Sequence, residues 1–261
     1  MSSSRLLLVT FALLLLVPLS GQGQPQYQSF EPGPQDNLME PGFQGKIDIP
    51  FSTQYIWRGV KLNHQSVFQP SARLNDAGME LEAIGNMDLT RSNDCRGKFT
   101  RWIYRGGLAR RSREGEVALS YVYYDNKDVG YSKTQEVALE VRWGYPFFVG
   151  TEIYWDFDAA NGFYFNSSTG VFIDVGPLRI IPKIGVGFAT KKYQEFYFEV
   201  RENSFLDFTF SLAAELNFWG PFFLTVRGDY YELMRSGLRH SEKSDQRGDN
   251  VWGEGSLSIR F

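Results

Sequence analysis

One cysteine and two histidines in 261 residues remove several explanations at once. Cys95 alone cannot form an internal disulfide, and in the polar segment Arg91–Lys98 it reads as a solvated bystander. His64 and His240 lie far apart and give no metal-ligand spacing, so neither a metal nor another cofactor is expected. Beyond residue 20 no apolar run approaches the roughly 18 residues that a membrane-spanning helix needs. The net charge of −3 is far from the strongly basic balance of a nucleic-acid binder, so no nucleic-acid partner is expected.

Aromatics and glycine are abundant: 22 Phe, 14 Tyr and 26 Gly, with aromatics making up 16% of the chain. That composition, without long apolar runs, suits an all-β chain. The N-terminus is different. Arg5 precedes an apolar stretch of about 14 residues, Leu6 to Leu19, followed by Ser20-Gly21-Gln22-Gly23, the layout of a cleaved secretory signal. Residues 1–23 are therefore expected to be a signal peptide. Residues 24–44, rich in Gln, Pro and Gly and without periodicity, are expected to be a flexible linker. Folding of this linker into the interior as a partial plug is the other reading.

From residue 45 onward the chain alternates. In Val251–Phe261 the odd positions read Val, Gly, Gly, Leu, Ile, Phe and the even ones Trp, Glu, Ser, Ser, Arg. This period of two makes one face of a strand apolar and the other polar. A bare edge strand ending in Phe invites aggregation, and closing it against the first strand removes the edge. Eleven further segments keep the rule: one starting at Lys46, then Ser66–Leu74, Met79–Leu89, Thr100–Arg110, Glu116–Tyr124, Glu136–Tyr145, Phe147–Phe157, Phe163–Val175, Leu178–Phe188, Leu206–Phe218 and Phe222–Tyr230. About twelve strands of this length fit the 9–11 tilted residues that cross a bilayer. The expected fold is a transmembrane antiparallel up-and-down β-barrel in the bacterial outer membrane, with both termini periplasmic.

The connections sort in the same way. Asn75–Gly78, Ser112–Gly115, Tyr145-Pro146, Gly176-Pro177 and Trp219–Pro221 are tight, and three of them contain a proline that halts the strand. The opposite set, Arg91–Lys98, Asp125–Lys133, Thr190–Ser204 and Leu233–Asn250, is longer and polar, as expected of extracellular loops. Tyr55, Trp57, Trp102 and Trp155 are expected in an outer aromatic girdle. Trp143, Tyr145, Phe218, Trp219 and Phe261 are expected in an inner one. Outer-membrane lipids are the expected surroundings, and Phe261 the expected signal to the barrel-assembly machinery.

Several stretches resemble the TorF-like porin family of bacterial outer-membrane barrels: Tyr55-Ile-Trp57-Arg58-Gly59, Phe68-Gln-Pro70-Ser, Gly85-Asn-Met87-Asp-Leu89, Tyr121-Val-Tyr123-Tyr124, Glu136-Val137 and Tyr154-Trp-Asp156-Phe-Asp158. The likeness covers most of residues 45–261. It implies an outer-membrane location and a pore role, and it brings no catalytic signature and no site residues.

The parity assigns Arg58, Glu80, Glu82, Asp88, Arg101, Arg105, Glu140, Arg142, Glu152, Asp156, Lys183, Arg227 and Asp229 to the interior, with Asp48, Glu136, Arg179, Glu254 and Arg260. Opposite charges fall on neighbouring strands, Glu80 and Glu82 beside Arg101 and Arg105, and Arg142 beside Glu152. Two readings stand: a charge-lined channel for small polar solutes or ions, or an ion-paired filling that leaves little bore. His64-Gln65-Ser66 at the outer end of the second strand offers a different class, a lipid esterase or deacylase in which His64 activates Ser66. No third group is in place to orient the histidine, so no enzyme activity is expected. A third class is a structural or adhesive barrel acting through Thr190–Ser204 and Leu233–Asn250. Asp125, Asp128, Asp156 and Asp158 read as solvated loop charges in preference to a Ca²⁺ site.

Overall fold

The computed structural model describes residues 43–261 apart from 92–93, 113, 128–129 and 240–249. The expected signal segment, the linker as far as residue 42, Asp128 and His240 lie outside the described residues.

The chain opens with β1 (Gln44–Ser52), then a small hairpin, β2 (Tyr55–Trp57) and β3 (Val60–Asn63). The second barrel strand is broken at Gln69-Pro70 into β4 (Val67–Phe68) and β5 (Ser71–Asp76), since proline has no N–H to give a ladder. Next come β6 (Met79–Asp88), β7 (Phe99–Arg111), β8 (Gly115–Asn126), β9 (Thr134–Trp143) and β10 (Phe147–Asp156). β11 (Gly162–Val171) continues into β12 (Ile173–Val175), and β13 (Leu178–Ala189) leads into the helix α1 (Lys191–Phe198). The chain ends with β14 (Ser204–Trp219), β15 (Phe222–Leu233) and β16 (Asn250–Arg260). With the broken strands rejoined, twelve antiparallel strands close into a barrel. β1 pairs with β16 from Lys46↔Arg260 to Ser52↔Glu254, and β11 pairs with β13 from Tyr164↔Ala189 to Gly170↔Lys183. No barrel strand is left with a bare edge, which satisfies every ladder without water.

Between the twelve barrel strands, the connections of two or three residues all fall at the end that holds Gln44 and Arg260, and those at the far end are longer. The even–odd pattern then decides what each wall residue faces. Along β8, Val117, Leu119 and Tyr121 are exposed on the outside, while Glu116, Ala118, Ser120, Val122 and Tyr124 are buried inside. Leu81, Leu108, Val149, Phe210 and Val226 extend this apolar exterior around the wall. An apolar belt of that extent is unstable in water and requires a lipid surround. Trp143, Phe218, Trp219 and Phe261 lie exposed at the terminal end, and Trp155, Phe157, Phe163 and Phe205 at the far end.

Close approach inside the wall is built on Gly107. A Cβ there would sit 2.4 Å from the Leu119 carbonyl oxygen and 2.7 Å from the Ser120 Cβ. Both belong to the neighbouring strand, so a larger side chain must push β7 from β8. Gly107→Val is expected to destabilise the barrel by about 1–3 kcal/mol, the usual cost of overpacking. A lowered thermal midpoint of the refolded barrel in detergent checks this, and an unchanged midpoint contradicts it.

Candidate functional site: the barrel interior

The interior has two regions. At the terminal end and mid-height, charges pair along the wall. Arg73 donates to Glu82 at 2.6 Å, Arg111 holds Glu80 and, at 2.6 Å, Glu116, and Arg142 meets Glu116 at 3.2 Å. Arg105 reaches past β8 to Glu140, which also accepts the Tyr154 hydroxyl at 2.7 Å. On the opposite wall Arg227 joins Asp229 at 2.9 Å and Glu254 at 3.3 Å, and Arg260 joins Glu215. Between Arg73, Glu80, Glu82 and Arg105 a cavity of about 10 Å³ remains, room for about one water.

The far end is filled differently. β1 stops at Ser52, and residues 53–66 turn inward to place β2 and β3 inside the barrel. Tyr55, Ile56, Trp57 and Val60 are each at most 2% exposed. From the other side α1 brings in Tyr193, Tyr197 and Phe198, equally buried. Trp57 meets Tyr197 edge-on at 5.1 Å and Tyr124 at 5.4 Å between ring centroids. These rings join Ile103, Val122 and Ala138 on one wall to Leu206, Tyr231, Leu233 and Trp252 on the other in one apolar cluster. A core that runs from wall to wall is a plug. The loop at Tyr131 fastens it from outside. The Tyr131 hydroxyl donates to the Tyr197 carbonyl at 3.5 Å, and burial pushes its phenol up to about 12, so it stays a neutral donor.

Arg58 locks the hairpin in place. It sits with Gly59 at the tip between β2 and β3, with φ of 46° and 84°. Two positive φ values in a two-residue loop describe a mirror-image turn, which favours Asn-Gly. An arginine in this region costs about 1–2 kcal/mol against Asn or Gly. The contacts of its side chain offset that cost. The guanidinium gives Glu136 two bonds, Nη1 to Oε1 at 2.8 Å and Nη2 to Oε2 at 3.0 Å. Nη2 also donates to the Tyr124 hydroxyl at 3.1 Å, and that hydroxyl donates to Glu136 at 2.6 Å. Above the plane lies the Tyr154 ring, 3.5 Å from Cζ, with Trp57 at 4.6 Å and Tyr164 at 5.3 Å. Arg101 repeats the theme from the wall, bonding the Tyr55 hydroxyl at 2.9 Å and lying 4.4 Å from Trp57.

Of the residues assigned inward, Glu80, Glu82, Arg105, Glu140, Arg142, Arg227 and Asp229 stand in the ion-paired wall just described. Glu152 accepts a hydrogen bond from Tyr154 at 3.3 Å, and Lys183 feels the charges of Glu152 and Asp229. Asp88 is buried beside Asn86 and Thr100. Asp156 accepts the Thr134 hydroxyl at 2.7 Å and the Asp158 and Ala160 amides at 3.0 and 3.1 Å, which ties down the turn after β10. Arg58 is inside too, but it arrives on the hairpin and not on a wall strand.

Four expectations are corrected. Tyr55 and Trp57 are not girdle residues on β1, because the chain leaves the wall at Ser52 and buries them within. Thr190–Ser204 is not an open extracellular loop, because α1 folds its aromatic face into the barrel. Cys95 is buried, not solvated. Glu82 lies opposite Arg105, as expected, but its ion pair is with Arg73, and Arg142 pairs with Glu116 and not with Glu152. The pairing of Arg111 with Glu80 and Glu116 was not foreseen either. Each of these arginines chooses between two flanking strands, a choice that parity leaves open. His64 and Ser66 lie in the bend between β3 and β4, both exposed, with no acid oriented on His64. Among the described residues no group of His, Cys, Asp and Glu could hold a metal ion.

This architecture, a closed twelve-stranded barrel with an apolar exterior and a charged interior, is that of an outer-membrane β-barrel. The chain matches no family model and no curated protein. Solved structures with this fold include a KdgM porin, at 8% identity and a TM-score of 0.52, covering 83% of this chain and 99% of that one. A NanC porin aligns at 8% identity and 0.51, covering 82% and 98%. The COG4313 outer membrane channel from Pseudomonas putida F1 aligns at 11% identity and 0.50, covering 89% and 100%. Identities this low speak for the fold alone.

Proposed function

We propose that the chain is a narrow passive channel for small polar solutes, of the TorF-like porin type, held closed by its own hairpin. The observation that carries this reading is the division of the interior. A charged lower bore has no reason to be capped by a separate, side-chain-latched insert unless the insert controls passage. A barrel filled only for stability could be filled from its walls. In this reading the termini and short turns face the periplasm and the hairpin closes the extracellular mouth. Outer-membrane lipids surround the wall, and residues 1–23 are removed on export. Phe261, whose N–H and carbonyl both bond Gly45 at the β1–β16 seam, serves as the assembly signal. No hydrolase activity is proposed for His64 and Ser66, because both stand in solvent with nothing to polarise the histidine.

Proteoliposomes carrying the pure refolded protein test the reading by isosmotic swelling. Entry of small amino acids and sugars should exceed that in protein-free vesicles and fall off steeply with solute size. Swelling equal to empty vesicles for every solute, with the full chain and with a barrel lacking the hairpin, removes the channel reading.

A further inference from the structure

The plug's arginine occupies a place made for a cation, and that place belongs to the wall. With the hairpin set aside, the buried charges of the far-end wall among the described residues include the carboxylates Asp88, Glu136, Asp156 and Asp207 and the guanidinium of Arg101. All four carboxylates are at most 1% exposed. Glu136 lies at the floor of a box with Tyr124 beside it and the Tyr154 and Tyr164 rings above. The Tyr164 hydroxyl is turned away to Asp207, at 3.2 Å, which leaves its ring to face the box. A carboxylate offering both oxygens in plane, with aromatic faces stacked above, is the geometry by which proteins recognise a planar guanidinium.

We infer that this wall is a recognition site for cationic solutes bearing a guanidinium or related group, and that Arg58 fills it as an internal surrogate when the channel is closed. The turn at Arg58-Gly59 supports the assignment. Its backbone favours asparagine at the arginine position, so the residue there is set by what the wall accepts and not by the loop. A solute that competes for Glu136 removes the latch that holds the hairpin. Substrate and gate then act on one carboxylate, which gives closure in the absence of solute and opening in its presence. That the site serves passage rests on the channel reading; the binding site itself does not.

The test uses the full chain with Arg58→Ala and methylguanidinium as the probe. Removing the arginine should expose Lys61 on β3 to trypsin, and millimolar methylguanidinium should restore protection in a saturable way. Methylammonium, which cannot form the two-pronged bond, should need several-fold more, and acetate should do nothing. The Arg58→Ala/Glu136→Gln double variant should show no restoration. If Arg58→Ala does not refold, Arg58→Gln, which keeps a polar side chain at the turn and removes the guanidinium, serves in its place. Absence of saturable protection, or equal protection with and without Glu136, overturns the inference. A flux arm separates the two claims: arginine should enter proteoliposomes several-fold faster than glutamate. Equal entry of arginine and glutamate overturns the solute class, while saturable protection without any flux removes the channel reading and leaves the site.

Discussion

Glu136→Gln is expected to free the hairpin from the barrel wall. The substitution keeps the shape of the side chain and removes its charge, leaving the Arg58 guanidinium buried without its counter-ion. Breaking a buried pair from one side costs about 3–5 kcal/mol, because the remaining charge stays desolvated. At 1.4 kcal/mol per tenfold change, the docked state of the hairpin weakens by roughly 10²- to 4 × 10³-fold. The barrel need not unfold, since the ladders around the wall do not depend on this pair. Limited trypsin digestion reads the difference directly. In the parent chain Arg58 is 8% exposed and should resist cleavage, whereas the variant should be cut at Arg58 or Lys61 with its β-sheet spectrum intact. Equal resistance in both would mean that the hairpin is held by something other than this pair.

Trp57→Ala should have the second large effect, through packing and not charge. Trp57 is 2% exposed and touches Tyr124, Tyr193 and Tyr197, from the wall and from α1. Truncating a buried tryptophan typically costs about 3–5 kcal/mol and leaves a cavity. Here the cavity opens in the cluster that bridges the two walls, so the expected sign is a lower thermal midpoint together with increased ion leak across planar bilayers. Trp155→Ala is the matched control. That ring is 43% exposed on the lipid side and stacks on Phe163, so its loss should leave the leak unchanged. An increased leak in Trp155→Ala as large as in Trp57→Ala would reverse the assignment of inside and outside.

The contrast between these two tryptophans also shows how far the sequence could be read. Wall strands were legible because period-two alternation and a two-sided environment are the same fact seen twice. The short turns were legible because Gly and Pro positions restrict the backbone locally. The hairpin was not, because Tyr55-Ile56-Trp57 keeps the parity of Ile47, Ile49 and Phe51 and so reads as one continuous strand. Alternation reports which residues share a face and is silent on when the chain leaves the wall. α1 was hidden in a segment with lysines at its start and glutamates around it. Its signal was Tyr193 with Tyr197 and Gln194 with Phe198, two pairs spaced by four, which mark one buried helical face. The latch needed both: Arg58 and Glu136 are 78 residues apart, and only the inward turn of the hairpin brings them together.

One measurement bears most directly on the claim that this barrel is a channel closed by its own hairpin. Ser52 and Val67 are paired neighbours across β1 and β4, so an Asn-Gly turn can join them in place of residues 53–66, with only the rim bonds of Thr53 to Gly253 and of Ser66 to Leu89 to be remade. Single-channel recording of this excised barrel beside the full chain, in the same bilayer and salt, should show stable openings several-fold larger in conductance than any seen for the full chain. Two barrels that conduct equally, or that are equally silent, would contradict it.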